Sequence, residues 1–354
     1  MILFFPNKHY DKNHRRHLFP MLKPFIKGPN FTDQQRIAQY GISDKDYTFT
    51  DKIEDAKFAI LTMSWLYYKL TNQSEKAIQF IEKANKLNKQ VLVFIPSDFG
   101  IKIPKHLDVI VLRAQGYKSK LNSKHNGLPV FVPDPLKKYY QTDTVYTRPY
   151  NTNPTVGFCG QADSNTFETI KELAKIALRN MLYYTGLRYK TPHQLIATKH
   201  LRYKLITRLK SNNKINSNFI LRKAHRAGVE FLKGRNTHKT TYEFFDNIKD
   251  SDYVLCVRGV GNFSVRFYET LAMGRIPVFL NTDCILPHDD DLNWKNHVVW
   301  VDYKDRHRVA DIVIDYHSRL DEGKLNAKFK ENRRLWEDKL QLKSYFETIF
   351  NHLE

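Results

Sequence analysis

Residues 251–294 read SDYVLCVRGVGNFSVRFYETLAMGRIPVFLNTDCILPHDDDLNW, and this stretch decides the fold. Residues 253–257 are a short apolar run of strand-forming types, the pattern of a buried strand. Residues 258–264 make a loop with an arginine and two glycines. Residues 265–273 carry helical spacing, and Gly274 stands where a left-handed residue would close that helix. Residues 276–280 form a second buried-strand pattern with Pro277 near its start. The unit is strand, loop, helix, strand. In an open α/β sheet such a loop lies at the carboxyl end of its strand, where ligands bind.

The residue types in the loop suit a phosphate. A helix start has free N–H groups and the positive end of its dipole. Ser264 is a reasonable N-cap. Gly259 and Gly261 let the backbone approach a ligand. Arg258 enters the loop and Arg266 sits in the first helical turn. Arginines of this kind often only solvate a surface; two of them bracketing a glycine-containing loop point to a diphosphate. Glu269 lies three residues after Arg266 on the same helix side. It suits either an ion pair with Arg266 or a carboxylate accepting from two ribose hydroxyls.

These residues carry a family resemblance. Cys256-Val257-Arg258-Gly259, then Ser264-x-Arg266-x-x-Glu269-x-Leu271, Gly274-x-Ile276-Pro277-Val278, and Leu286-Pro287 with Trp294 resemble the signature of the exostosin-type glycosyltransferases. The chain departs from that signature at Val257, Thr270 and His288. The resemblance is clear over the C-terminal third and weaker over residues 58–135. It implies the GT-B-like α/β architecture, two facing Rossmann-like domains with a cleft between them and a C-terminal helix crossing back. It also implies an inverting enzyme that uses a nucleotide-diphospho-sugar, UDP by analogy, with no essential metal, in surface polysaccharide biosynthesis.

Composition sets outer bounds. The 354 residues suit two domains, and 42% hydrophobic content excludes general disorder. Three cysteines cannot build a disulfide framework, which fits a reducing compartment. The opening run MILFF is too short for a signal peptide or membrane span. Animal and plant exostosins usually carry a membrane anchor there, so the expectation is a cytoplasmic protein, peripheral at most to the inner face of a membrane.

The formal net charge of +20 calls for an anionic partner. Between 199 and 239, twelve lysines and arginines stand against one carboxylate, Glu230. An anionic membrane surface or a lipid-linked or anionic glycan acceptor would answer that charge. So would nucleic acid, but the block interleaves few aromatics and carries no nucleic-acid motif, so none is expected. A catalytically inactive scaffold is the third reading, opposed by the joint presence of Arg258, Arg266 and Glu269.

Along the chain, strands are expected at residues 2–5, 56–61, 90–95, 109–112 and 128–132, with an amphipathic helix at 74–87. Their alternation indicates a mostly parallel sheet. The domain boundary is expected near residue 150, giving domains 1–150 and 151–330. The second opens with a strand at 156 and a helix at 167–182, and has another strand at 298–301. The apolar pattern of 329–350 is expected to return, over about 331–354, to the first domain.

A transferase also needs a base for the acceptor hydroxyl, placed across the cleft. Asp98, just past a buried strand, is the first candidate and His9, in the first strand's loop, the second. Asp289-Asp290-Asp291, with Asp283 nearby, invites a divalent-metal reading, but the run matches the family's loop before Trp294, so no metal ligand is assigned.

Overall fold

The computed structural model describes every residue except 29, 97, 223–236 and 354. Two all-parallel sheets organise it. The first contains β1 (Ile2–Phe4), β2 (Thr48–Phe49), β3 (Phe58–Ile60), β4 (Gln90–Ile95), β5 (Val109–Arg113) and β6 (His125–Gly127), in the order β2-β1-β3-β4-β5-β6. The second contains β7 (Thr155–Gln161), β8 (Asn216–Arg222), β9 (Tyr253–Cys256), β10 (Ile276–Asn281) and β11 (Val299–Asp302), in the order β11-β10-β9-β7-β8. β4, β5 and β9 are apolar and buried over nearly their whole length, as expected of strands covered on both faces. The helix Ser74–Lys86 shows how one face is covered: Ala77, Phe80, Ile81 and Ala84 recur at helical spacing and enter the first core.

The C-terminal segment ties the units together. Leu325 and Phe329 of helix Glu322–Leu335 pack into the core of the second unit. A π turn, Trp336–Leu340, then redirects the chain. Helix Leu342–Leu353 buries Tyr345, Phe346, Ile349 and Phe350 in the first core. Arg333 holds the junction, with Nη2 2.6 Å and Nη1 3.0 Å from the two carboxylate oxygens of Asp134 and a further bond to the Ala272 carbonyl. This is the GT-B-like arrangement: two Rossmann-like units and a returning C-terminal helix.

Two expectations about strands need correction. Residues 128–132 are not a strand; the sixth strand is His125–Gly127. Pro129 and Pro133 have no N–H to give a ladder, so pairing ends where they begin. The strand β8 lies inside the basic block, at a sheet edge, with Asn216, Ser217 and Asn218 at its start. Lys223, Arg226, Glu230, Lys233 and Arg235 of that block lie outside the described residues. The other cations diverge: Arg202 points inward to backbone carbonyls, and Arg222 pairs with Glu243 at 2.6 Å.

Candidate active site

The order of the second sheet reverses between β9 and β7, and a crevice opens outside the carboxyl ends of strands that part in this way. Arg258, Arg266 and Arg202 all converge there. Arg266, in the first turn of helix Val265–Ala272, donates to the carbonyls of Cys159 and Leu255, at the ends of β7 and β9. Its guanidinium lies 4.3 Å from the centre of the Phe158 ring. Arg202, on helix Thr198–Lys210, donates to the carbonyls of Val257 (3.2 Å) and Arg258 (2.8 Å). Burial, with Arg266 next, brings the Arg202 guanidinium down to about 9, while Glu172 opposes the fall. Burial lowers Arg266 too, and Cys256 and Glu269 support its charge. Glu269 is therefore within electrostatic reach of Arg266, as the i,i+3 spacing suggested.

Arg258 reaches toward the first unit. Its Nη1 donates to Tyr117 Oη at 3.2 Å and its Nη2 to the Val260 carbonyl at 3.0 Å. Nη2 is also 3.4 Å from His193 Nδ1. An arginine can only donate, so Nδ1 must accept, which leaves the imidazole proton on Nε2. Burial and the Arg258 charge hold His193 down at about 4, so it is neutral near pH 7. Phe99 of the first unit packs on the His193 ring, centroids 4.6 Å apart. Lys175, Arg179, Arg188 and Lys190 complete a strongly basic pocket beside Arg258, in which Glu172 is the one acid among the described lining residues.

Asp98 meets this loop from the other side. A Cβ on Gly261 would sit 2.8 Å from Asp98 Oδ1, so glycine there admits the carboxylate. Asp98 keeps an exposed surface, yet the surrounding protein raises its carboxyl above the ordinary range, while Arg258 and Lys190 pull the other way. Water reaching the group screens these effects. Gly259 has open space where a Cβ would go. Ser264 occupies the N-cap position with extended backbone, but its hydroxyl makes no capping bond. The start of helix Val265–Ala272 therefore keeps donors for a ligand. Gly274 does adopt the left-handed conformation, φ +65, that closes the helix.

The structure does not bring His9 to this loop. It stands in the first unit, where β1 and β3 part, with Nδ1 2.8 Å from Tyr68 Oη and its ring against Phe80. Burial and Lys76 lower it to about 4. Three acids of the 283–291 loop are engaged otherwise. Asp283 accepts from the backbone and hydroxyl of Ser119, Asp289 pairs with Lys118 at 3.1 Å, and Asp291 with His352 at 2.9 Å. No group of three His, Cys, Asp or Glu suited to a metal occurs among the described residues.

Tyr117, His193, Phe99 and Arg202 were not singled out by sequence reasoning. Tyr117 and Phe99 are far from the motif, and Arg202 was submerged in the charge of its neighbours. Phe99 and Tyr117 follow β4 and β5 by four residues, and that position is the signal that points to the cleft.

Residues 179–314 match the family model described as the exostosin GT47 domain. Over that stretch the chain is similar to an exostosin GT47 domain. Exostosin-1 of Drosophila melanogaster is 33% identical over 78 residues, covering 22% of this chain and 10% of that protein. The probable beta-1,4-xylosyltransferase IRX10L of Arabidopsis thaliana is 35% identical over 68 residues, 19% of this chain and 16% of that protein. The match thus spans a tenth to a sixth of each relative's length. The crystal structure of TarM is similar with 12% identity and a TM-score of 0.38, covering 83% of this chain and 54% of that one. The exostosin match includes Arg202, Arg258, Arg266 and Glu269, and Asp98 comes from outside it.

Proposed function

We propose that the chain is an inverting glycosyltransferase that moves a sugar from a nucleotide-diphospho-sugar to a hydroxyl of a glycan acceptor. The observation that carries this reading is the meeting of Asp98, from the first unit, with the Arg258–Gly261 loop of the exostosin domain. On this proposal a base and a phosphate-binding cation face one crevice from opposite walls.

In this reading the donor lies outside the ends of β7 and β9. Arg258, Gly259, Ser264 and the start of helix Val265–Ala272 take the diphosphate. Arg266 holds the loop from behind and adds positive potential, and Glu269 accepts from the ribose. Asp98 removes the proton of the acceptor hydroxyl as its oxygen attacks the anomeric carbon. The bond from that carbon to the diphosphate breaks on the opposite face, and the developing charge falls on Arg258. A carboxyl raised above its usual range is a better base near neutral pH. His9 is the second candidate base. Cationic groups at the leaving diphosphate make a metal dispensable here; UDP as nucleotide and surface polysaccharide as product complete the proposal.

Asp98→Asn tests it, since the amide keeps the shape against Gly261. Donor binding should persist while release of nucleoside diphosphate in the presence of glycan acceptors falls by about 10²–10⁴. Full turnover in Asp98→Asn would remove Asp98 as base and move the test to His9→Gln.

A further inference from the structure

Helix Thr166–Tyr184 turns its apolar stripe outward, with Phe167, Ile170, Leu178, Met181 and Tyr184 all exposed, and reaches inward with polar side chains. Glu172 accepts from the backbone N–H of Thr198 at 3.2 Å. Asn180 clamps the backbone of His193, donating to its carbonyl at 2.7 Å and accepting from its N–H at 2.9 Å. Lys175 and Arg179, between these two anchors in sequence, line a cavity of about 110 Å³ beside Arg258. Arg188 and Lys190, from the segment after the helix, line it as well.

The two units hold this cavity in shape together. The N–H of Thr191 donates to the Gly100 carbonyl at 2.8 Å, and Lys190 pairs with Ile101 in an isolated antiparallel bridge. The N–H of Gln194 donates to Tyr117 Oη at 3.0 Å. The cationic heads of Arg179 and Lys190 lie 5.4 and 5.3 Å from the centre of the Phe99 ring, the ring that also packs on His193. Phe99 thus orients two of the cations from the first unit.

Charge decides what the cavity takes. Lys175, Arg179, Arg188, Lys190 and Arg258 stand against the single acid Glu172, a net +4. None of the five forms an ion pair with a carboxylate among the described residues. Arg258 is only 5% exposed, and a buried guanidinium without a counter-ion is costly. Like charges gathered around one cavity repel until an anion sits among them. The volume is well below the roughly 300–1,000 Å³ of pockets that enclose a whole ligand, so the cavity fits one oxyanion group of a larger molecule. A carboxylate would leave most of the charge unanswered. A phosphate monoester carries about −1.5 to −2 and three acceptor oxygens, which suit the forks of Arg179 and Arg188.

Position decides whose phosphate it is. Lys190 and Arg258 both lie within electrostatic reach of Asp98, the base proposed for the acceptor hydroxyl. The donor diphosphate is proposed further along the loop, toward Ser264 and the start of helix Val265–Ala272. We propose that the cavity lined by Lys175, Arg179, Arg188 and Lys190 is a subsite for a phosphate group on the acceptor, close to the hydroxyl that Asp98 deprotonates. The acceptor role rests on the glycosyl-transfer reading; the phosphate site itself does not.

Calorimetry of the full chain in phosphate-free Tris at about 0.15 M salt tests it. Glucose 6-phosphate should bind, glucose should not, and glucuronate should bind at least about tenfold more weakly than the phosphate. A saturating nucleoside diphosphate should not displace the sugar phosphate. The double variant Lys175→Gln, Arg179→Gln, at two exposed positions, should weaken glucose 6-phosphate by at least about tenfold while keeping the thermal midpoint and the nucleotide affinity. Lys171→Gln, outside the cavity and paired with Glu168, should bind as the wild type does. Octyl phosphate is the second arm: binding tighter than that of glucose 6-phosphate places the phosphate on a lipid carrier, and weaker binding places it on a glycan. The phosphate site is overturned by a wild type that ignores both phosphates, by glucuronate binding equally well, or by a double variant that binds as the wild type does. Displacement by the nucleotide, or loss of nucleotide affinity in the double variant, would make the cavity part of the donor site; that overturns the acceptor assignment and leaves glycosyl transfer standing. Phosphate binding with no affinity for any nucleoside diphosphate would remove the glycosyl-transfer reading and keep the site.

Discussion

Replacing Arg266 by methionine tests the bracing role that its contacts show, apart from the ligand role proposed for it. The guanidinium bonds the carbonyls of Cys159 and Leu255 and stacks on Phe158, so it braces the ends of β7 and β9 before any ligand arrives. Methionine keeps much of the volume but removes every donor. One well-made charge-assisted bond is worth about 1.5–3 kcal/mol, and the stack on Phe158 about 0.5–2 kcal/mol. The longer bond to Leu255 adds little. The loss should therefore be about 2–4 kcal/mol, partly recovered by the thioether against the ring. For a cooperative unit of this size each kcal/mol moves the midpoint by about 2–4 °C, so the unliganded variant should melt roughly 5–15 °C lower. The assay is thermal denaturation by circular dichroism, with unaltered far-ultraviolet spectra at low temperature showing that the fold persists. An unshifted midpoint together with lost nucleotide binding would refute the reasoning: Arg266 would then be a ligand contact with no bracing role.

Two more outcomes are accessible. Arg258→Lys keeps the charge but loses the planar fork shared with Tyr117 and Val260, and should weaken nucleoside diphosphate binding by about 10–100-fold by calorimetry; unchanged affinity would place the diphosphate elsewhere. Acid stability should fall in a defined window. His9, His125 and His193 are each lowered to about 4 in the folded chain, mainly by burial. The unfolded chain therefore takes up protons first, so stability is full above about pH 6.5 and declines as pH drops toward about 4. A thermal midpoint that stays flat between about pH 7 and pH 5 would show these imidazoles to be solvated.

Much of the second unit was legible because its chemistry is local. β9 and β10 are apolar runs, Gly274 closes the helix between them, and the Arg258 to Glu269 spacing follows from that geometry. The edges were not. β8 is half exposed and begins with polar residues, so its composition reads as loop, while the proline-bearing residues 128–132 have the apolar content of a strand without the donors for one. Contacts between units were least visible. The meeting of Asp98 with Gly261 joins positions far apart in sequence, and Gly261, which looked like a place for a ligand to approach, is open to a carboxylate of the same chain. The basic block misled in another way: charge counting treats lysines and arginines alike, whereas Arg202 turned inward to cap the carbonyls at the end of β9. The outward apolar stripe was hidden for the same reason, since periodicity gives the stripe but not the side the sheet will take.

The most direct test of the nucleotide site is thermal stability in EDTA with UDP, GDP or CDP present. A ligand at 100 times its dissociation constant stabilises the folded chain by about 2.7 kcal/mol. One nucleoside diphosphate should raise the midpoint of the wild type and fail to do so in Arg258→Ala. No shift with any of them, or a shift that appears only when a divalent metal is restored, would contradict the metal-independent site proposed at Arg258 and the start of helix Val265–Ala272.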